Sequence, residues 1–271
     1  MRVGSITTYP LKSGRRVAQR TAQVQPCGLA GDRRWMAVEP DGAFLSQRVE
    51  PRFTRIHPAS RPDGGLLLRA EGAADLDVAV PHGVDPIRVR VWRSELDVPP
   101  AGADADEWLA AVLDRKARLV YLHDPAARTV DERYGRPDDR VSFADGYPLL
   151  LTNAASLDAL NGWLLEAGNV EVPLPMTRLR PNVVVTGAPA WAEDDWLGRR
   201  LRIGGQVFRA VKPCGRCVVT TIDQDTGEQG REPLRVLARH RRVGDRLVFG
   251  LNLIPDTTGP ISVGDPVTVV A

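Results

Sequence analysis

Short runs that alternate apolar and polar residues, each ended by turn residues, leave this 271-residue chain few architectures to adopt. In Ile87–Trp92 the apolar Ile87, Val89 and Val91 fall on one face and Arg88 and Arg90 on the other, the period-two pattern of a half-buried strand. Comparable strand-like runs are Val3–Thr8, Trp35–Glu39, Leu66–Arg69, Leu119–Leu122, Asn182–Thr186, Leu201–Ile203, Val207–Val211, Val218–Ile222, Arg246–Leu253 and Val267–Val270. Gly204–Gly205 and Asp41–Gly42 read as hairpin-type turns between such runs. Helical spacing is rarer. Asp104 with Glu107 resembles a capping box ahead of Trp108, Leu109, Val112 and Leu113. Asn153 to Glu166 carries Leu157, Leu160 and Leu164 and closes at Gly168, and Pro233 opens a short helix containing Leu234 and Leu237. Repeated βαβ patterning is absent, which argues against a doubly wound sheet. The expected class is mainly β with a few covering helices (α+β), barrel-like or sandwich-like. The charged, strand-poor stretch from His123 to Arg140 marks the expected boundary, giving domains 1–125 and 126–271.

Composition narrows the function classes. A formal charge of +2 is nearly balanced, which argues against wholesale nucleic-acid binding and leaves room for a local anion site. Arginine dominates the cations, and its planar fork suits phosphate and pterin-like edges better than lysine does. Three cysteines cannot build a disulfide scaffold, and an odd count with a clustered pair fits a reducing compartment. No apolar run reaches the roughly 18 residues of a membrane-spanning helix. The N-terminus enters a strand-like pattern at once, without a basic-then-apolar leader. The expected location is cytoplasmic, away from membranes.

Two of the three cysteines, Cys214 and Cys217, sit in KPCGRCVVTTIDQDTG, from Lys212 to Gly227. Nearby Lys212 and Arg216 favour a thiolate, which makes either cysteine a candidate metal ligand or nucleophile. Half of a zinc site lacks its remaining ligands, since Cys27 and the four histidines are scattered. A thioredoxin-like pair belongs at a helix N-terminus, whereas Val218–Ile222 reads as a strand. Both cysteines as small buried hydrophobes is the plain alternative. YPLKSGRR, from Tyr9 to Arg16, and GDRRWM, from Gly31 to Met36, offer the charged donors, hydroxyl and accessible amides of an anion-binding loop, or form a solvated basic hairpin. RLRPN, from Arg178 to Asn182, offers donors and an acceptor for a heteroaromatic edge or a phosphate, or simply begins a salt-bridged strand. No phosphate-binding loop, dinucleotide glycine fingerprint, H-E-x-x-H or G-x-S-x-G is present.

Taken in order, YPLKSGRR, GLAGDRRWM, LSQRVEPRF, FADGYPLLLTNAASLDALN, RLRPNVVVTG, AEDDW, KPCGRCVVTTIDQDTG and VGDPVTV resemble the MOSC family over nearly the whole chain. The resemblance is closest to its amidoxime- and N-hydroxylamine-reducing branch. It implies an N-terminal MOSC-type β-barrel followed by a MOSC barrel. It also implies the molybdenum cofactor, a pyranopterin dithiolene with a phosphate tail; pyridoxal phosphate is not expected. By the same resemblance, Cys217 ligates molybdenum. Lys12, Ser13, Arg33, Arg180 and Asn182, with Arg216, hold the cofactor, and Asp145 lies near the metal face as a proton relay. Cys214 matches no ligand role. The chain ends five residues after VGDP and carries neither ferredoxin-type cysteine spacing nor an N-terminal hydrophobic helix. The expectation is therefore a reductase of N-hydroxylated small molecules, with electrons from a separate ferredoxin- or flavoprotein-like donor protein. The alternative is a carrier of the cofactor or of a persulfide on Cys217, without turnover. A structural β-domain using its basic loops for a protein partner is a third reading.

Overall fold

A computed structural model describes residues 1–169 and 173–270. The expected class holds: strands predominate, with three α-helices, α1 (Ala103–Leu113), α2 (Ala154–Glu166) and α3 (Leu234–His240), among the described residues. None of these is long and apolar enough to cross a membrane.

The largest sheet runs, in spatial order, through Val267–Val270, Arg200–Ile203, Gln206–Gly215, Arg246–Pro255, Leu149–Asn153, Val183–Thr186, Arg2–Thr8 and Val17–Gln19, with Arg242–Val243 paired to Arg246–Pro255. Its one parallel pair, Leu149–Asn153 with Val183–Thr186, is joined through α2, as a parallel connection needs a crossover. Gly204–Gly205 forms the two-residue turn between Arg200–Ile203 and Gln206–Gly215. The sheet is not a closed barrel. Its approach to closure is the isolated bridge between Arg2 and Pro266, with Val3 N donating to Asp265 O at 2.9 Å. Beyond the two edges, Thr21–Gln25, which follows the strand of one, pairs in a separate sheet with Gly259–Ser262, which precedes the strand of the other.

The first strand is hydrogen-bonded to a strand more than 170 residues later, Ile6 facing Val183. Val3, Ile6, Val24 and Leu29 accordingly share one core with Leu149, Leu151, Val183, Phe208 and Leu253. At about 1.5–3 kcal/mol for each fully buried large apolar side chain, this shared core fixes the first 29 residues to the second half of the chain. A second core, including Leu11, Trp35, Phe53, Leu66 and Leu68, lies under α1. The Tyr9–Arg16 loop leaves the first core and enters the second, so it must pass between them.

Three local expectations are corrected. Val218–Thr221 is a 3-10 turn, despite its β-branched residues. The hydroxyls of Thr220 and Thr221 donate back to Cys217 O and Val218 O, both at 2.8 Å, a local bonding that competes with a strand ladder. Helix α1 starts at Gly102, without a side-chain cap, rather than at an Asp104–Glu107 box. The fully buried run Leu149–Asn153 is a central strand that alternation does not reveal.

AEDDW folds as the 3-10 turn Ala192–Trp196. Glu193 is fully buried there. Its Oε2 accepts from Ser156 Oγ at 2.8 Å and Asn153 Nδ2 at 3.2 Å, while Oε1 has no partner. Burial pushes its pKa up. A carboxyl raised on folding contributes stability at low pH and loses it as pH rises through the folded value. Glu193→Gln is expected to gain about 1 kcal/mol over wild type at pH 7.5 and little at pH 4, read as the difference in thermal midpoint between the two pH values.

Candidate functional site

Between the two cores lies a cavity of about 330 Å³. Lys12, Ser13, Arg33, Asp145, Arg180, Asn182, Arg216 and Cys217 all line it, although they are spread over more than 200 residues of sequence. Cys217 is delivered by the long strand Gln206–Gly215. Its pairing with Arg246–Pro255 shifts register between Ala210 and Lys212 and again between Pro213 and Gly215. Such bulges bend a strand and re-aim its side chains. The 3-10 turn then holds Cys217 at its start, half-buried.

The charges nearest the thiol differ from the sequence expectation. Arg216 donates to Cys214 Sγ at 3.0 Å and to Leu179 O at 2.6 Å, and Lys212 Nζ lies 4.2 Å from the Tyr134 ring centroid. The cation on Cys217 is Arg48, whose Nη2 donates to Sγ at 3.3 Å and to Asp145 Oδ2 at 2.9 Å. Asp145 Oδ1 accepts from Lys12 Nζ at 2.6 Å and from Trp92 Nε1 at 3.3 Å. Behind this loop Arg128, buried, donates to Ser142 O and Ala144 O.

Burial disfavours the Asp145 carboxylate, but Lys12 and Arg48 outweigh it and hold its pKa below the usual carboxylate range. Asp145 therefore stays ionised across working pH. Lys12 has the opposite problem: burial pulls it down to about 8, with Asp145 pulling it up. Its folded pKa lies below its unfolded one, so the charged lysine costs the ligand-free fold about 3 kcal/mol at neutral pH. That cost disappears as pH rises from about 8 towards the unfolded value. An anion in the cavity offsets it. Affinity for an inorganic anion such as phosphate is expected to fall as pH rises through about 8, and Lys12→Arg to flatten that fall, measured by equilibrium titration of ligand-free protein.

A second group forms around Tyr9, which is buried. Arg33 and Arg180 both lie over its ring, each 4.3 Å from the centroid, where cation and π-face attract. Arg33 pairs with buried Asp32 at 2.6 Å and donates to Asn182 Oδ1 at 3.2 Å. Arg180, pulled down to about 10 by burial, donates to Gln224 Oε1 and to Gly14 O, both at 2.9 Å. Gln224 and Gln47 exchange amide hydrogen bonds at 3.0 and 3.1 Å, and Gln47 also donates to Ser13 O at 2.7 Å. These bonds tie LSQRVEPRF and IDQDTG to the cavity loops. Ser13, Arg33 and Arg180 have left-handed φ values of 69°, 48° and 51°. At roughly 1–3 kcal/mol each, three such residues on one cavity mark strain held in place for orientation.

Arg48, Tyr9, Gln47, Gln224 and Arg128 are the residues that sequence reasoning did not assign. Arg48, Gln47 and Gln224 lie inside recognised segments, but nothing in their spacing shows that they meet. Arg128 sits in the charged stretch that reads only as a linker.

Among the described residues, no three of His, Cys, Asp and Glu cluster closely enough to hold an ion. A metal here has to bring most of its own ligands. The donor set suits an anionic group carrying a soft metal: the thiols of Cys214 and Cys217, a ring of cations, and a buried Arg216 Nε that lacks any partner.

Comparison with known proteins agrees with this layout. Residues 1–116 match the family described as the MOSC N-terminal beta barrel domain, and residues 138–268 match the MOSC domain. Mitochondrial amidoxime-reducing component 1 of Mus musculus is 32% identical over 285 residues, covering 98% of this chain and 81% of the relative. The Homo sapiens protein of the same name is 30% identical over 285 residues, covering 98% and 82%. Among solved structures, the YUAD protein from Bacillus subtilis covers 98% of this chain and 93% of its own at 12% identity, with a TM-score of 0.41, a likeness too weak to carry weight.

Proposed function

Because this chain belongs to the MOSC-domain family, we propose that it is a molybdenum-cofactor-dependent reductase of N-hydroxylated compounds. Its electrons come from a separate ferredoxin- or flavoprotein-like donor, and its setting is cytoplasmic. The observation that carries this reading is the cavity in which Cys217 and cations from both halves of the chain converge. The names of its relatives, amidoxime-reducing components, supply the reaction class. The reaction converts an amidoxime, two electrons and two protons into an amidine and water, so the substrate's N–O bond breaks and the donor is oxidised.

When bound, the cofactor would supply the two-electron chemistry. This chain's residues do the rest. Cys217 Sγ would supply the soft ligand for the metal, held in place by Arg48. Lys12, Ser13, Arg33, Arg180, Asn182 and Arg216 grip the pterin edge and phosphate through charge-assisted bonds. Asp145, held ionised, fixes Lys12 and Arg48 as cations. Lys12 Nζ, at about 8, is the group able to release a proton near neutral pH. The division into units 1–125 and 126–271 belongs to the same proposal, each contributing one wall. Purified protein is expected to contain molybdenum and pterin and to reduce benzamidoxime with an artificial donor. Metal-loaded protein inert to every N-hydroxylated compound offered would remove this reading.

A second reading has one observation in its favour: two thiols, Cys214 and Cys217, line the same cavity, as a sulfur carrier requires. Persulfide on Cys217 by mass spectrometry, without any reduction of substrate, is the result that would favour it.

A further inference from the structure

We propose that Lys212, Arg246 and Tyr147 form a subsite for an anionic group on the substrate, so that the preferred N-hydroxylated compounds carry a carboxylate or a phosphate. The proposal rests on the reductase reading and names its substrate class.

Charge balance is the first argument. Seven lysine and arginine side chains line the cavity against one carboxylate, Asp145, which is taken up by Lys12 and Arg48. A phosphate tail carries about −1.5 to −2, which Arg180 and Arg216 meet, Arg33 being already paired with Asp32. Lys212 and Arg246 remain. Among the described residues Lys212 has no carboxylate within ion-pair distance and is held against aromatic rings, 4.2 Å from the Tyr134 centroid and 5.7 Å from that of Tyr147. The acid nearest Arg246 is Asp245 at 3.9 Å, with both side chains more than half exposed, a pairing of little worth.

The second argument is a polar atom without a partner. Tyr147 Oη is buried and unbonded, on a side chain that lines the cavity. Burial pushes the phenol up, so it stays a neutral O–H donor. Leaving it unpaired is costly, and an incoming carboxylate or phosphate oxygen accepts its hydrogen bond.

Position is the third. Lys212 is opposite Asn252, and the strands Gln206–Gly215 and Arg246–Pro255 carry both cations. The Arg246 side chain runs past Gly215. Gln206–Gly215 leads into Cys217, and Arg216 N donates to Leu247 O, next to Arg246, at 2.7 Å. An anionic tail held here leaves the N–O end facing the thiol.

The test is calorimetric titration of the cofactor-containing protein with 4-carboxybenzamidoxime and with neutral benzamidoxime. Wild type is expected to bind the carboxylate about tenfold more tightly. Lys212→Met and, separately, Tyr147→Phe are expected to lose about tenfold for the carboxylate only, with pterin content unchanged. Equal affinity for the two compounds in wild type, an equal loss for both in either variant, or a fall in pterin content overturns the subsite; the last result would assign the cluster to the cofactor's own phosphate. Turnover, read separately, distinguishes the two proposals. Carboxylate-selective binding without reduction of either compound keeps the anion site and defeats the reductase; reduction of both with equal affinity does the reverse.

Discussion

Cys217→Ala is expected to lower benzamidoxime reduction more than about 100-fold, since even the outer partners of metal ligands are worth about 10–100-fold. Folding should hardly change. The side chain is half-buried, and among the described residues Arg48 at 3.3 Å is its side-chain hydrogen-bond partner, so the stability loss is expected to stay within about 0.5 kcal/mol. A large loss of activity without a shift in thermal midpoint separates a ligand from a packing residue. A large shift with proportional loss would identify Cys217 as part of the core. Cys214→Ala, on the other thiol of the same cavity, is expected to retain most of the turnover.

Asp145→Asn has the second largest expected effect, and its signature is a pH shift. Lys12, at about 8, is raised by Asp145 against the pull of burial. An opposite charge within hydrogen-bond distance moves a pKa by about 1–3 units. Removing it leaves burial unopposed, so Lys12 loses its proton at lower pH. The alkaline limb of the activity profile is expected to move down by more than about one unit, with a concurrent fall in cofactor content at pH 7.5. A lowered rate with an unmoved limb would mean that Asp145 acts directly on substrate rather than through Lys12. Lys12→Arg in the same background is expected to restore cofactor content but not turnover, because arginine keeps its charge and does not release a proton near neutral pH.

The sequence showed strands more clearly than their neighbours. Alternation located Ile87–Val91 because it has one wet face. It missed Leu149–Asn153, which is buried throughout, and it mistook Val218–Thr221 for a strand because threonine back-bonding is invisible to a propensity scale. Barrel closure was beyond reach for a related reason: whether Arg2 meets Pro266 through a ladder or a lone bridge depends on where the chain bends at either edge. Charge arrangement was the hardest part. Arg216 adjoins Cys217 in sequence yet donates to Cys214, whereas Arg48, nearly 170 residues away, reaches the thiol. The members of the site were legible through their motifs; their pairings needed the fold.

The account stands on a bond between the Cys217 sulfur and molybdenum. Molybdenum-edge X-ray absorption of wild type and Cys217→Ser, both isolated from molybdate-supplied cells, counts the sulfur neighbours of the metal. One sulfur fewer per molybdenum in the variant is the predicted result; identical sulfur shells in the two proteins, or wild type without molybdenum, would contradict it.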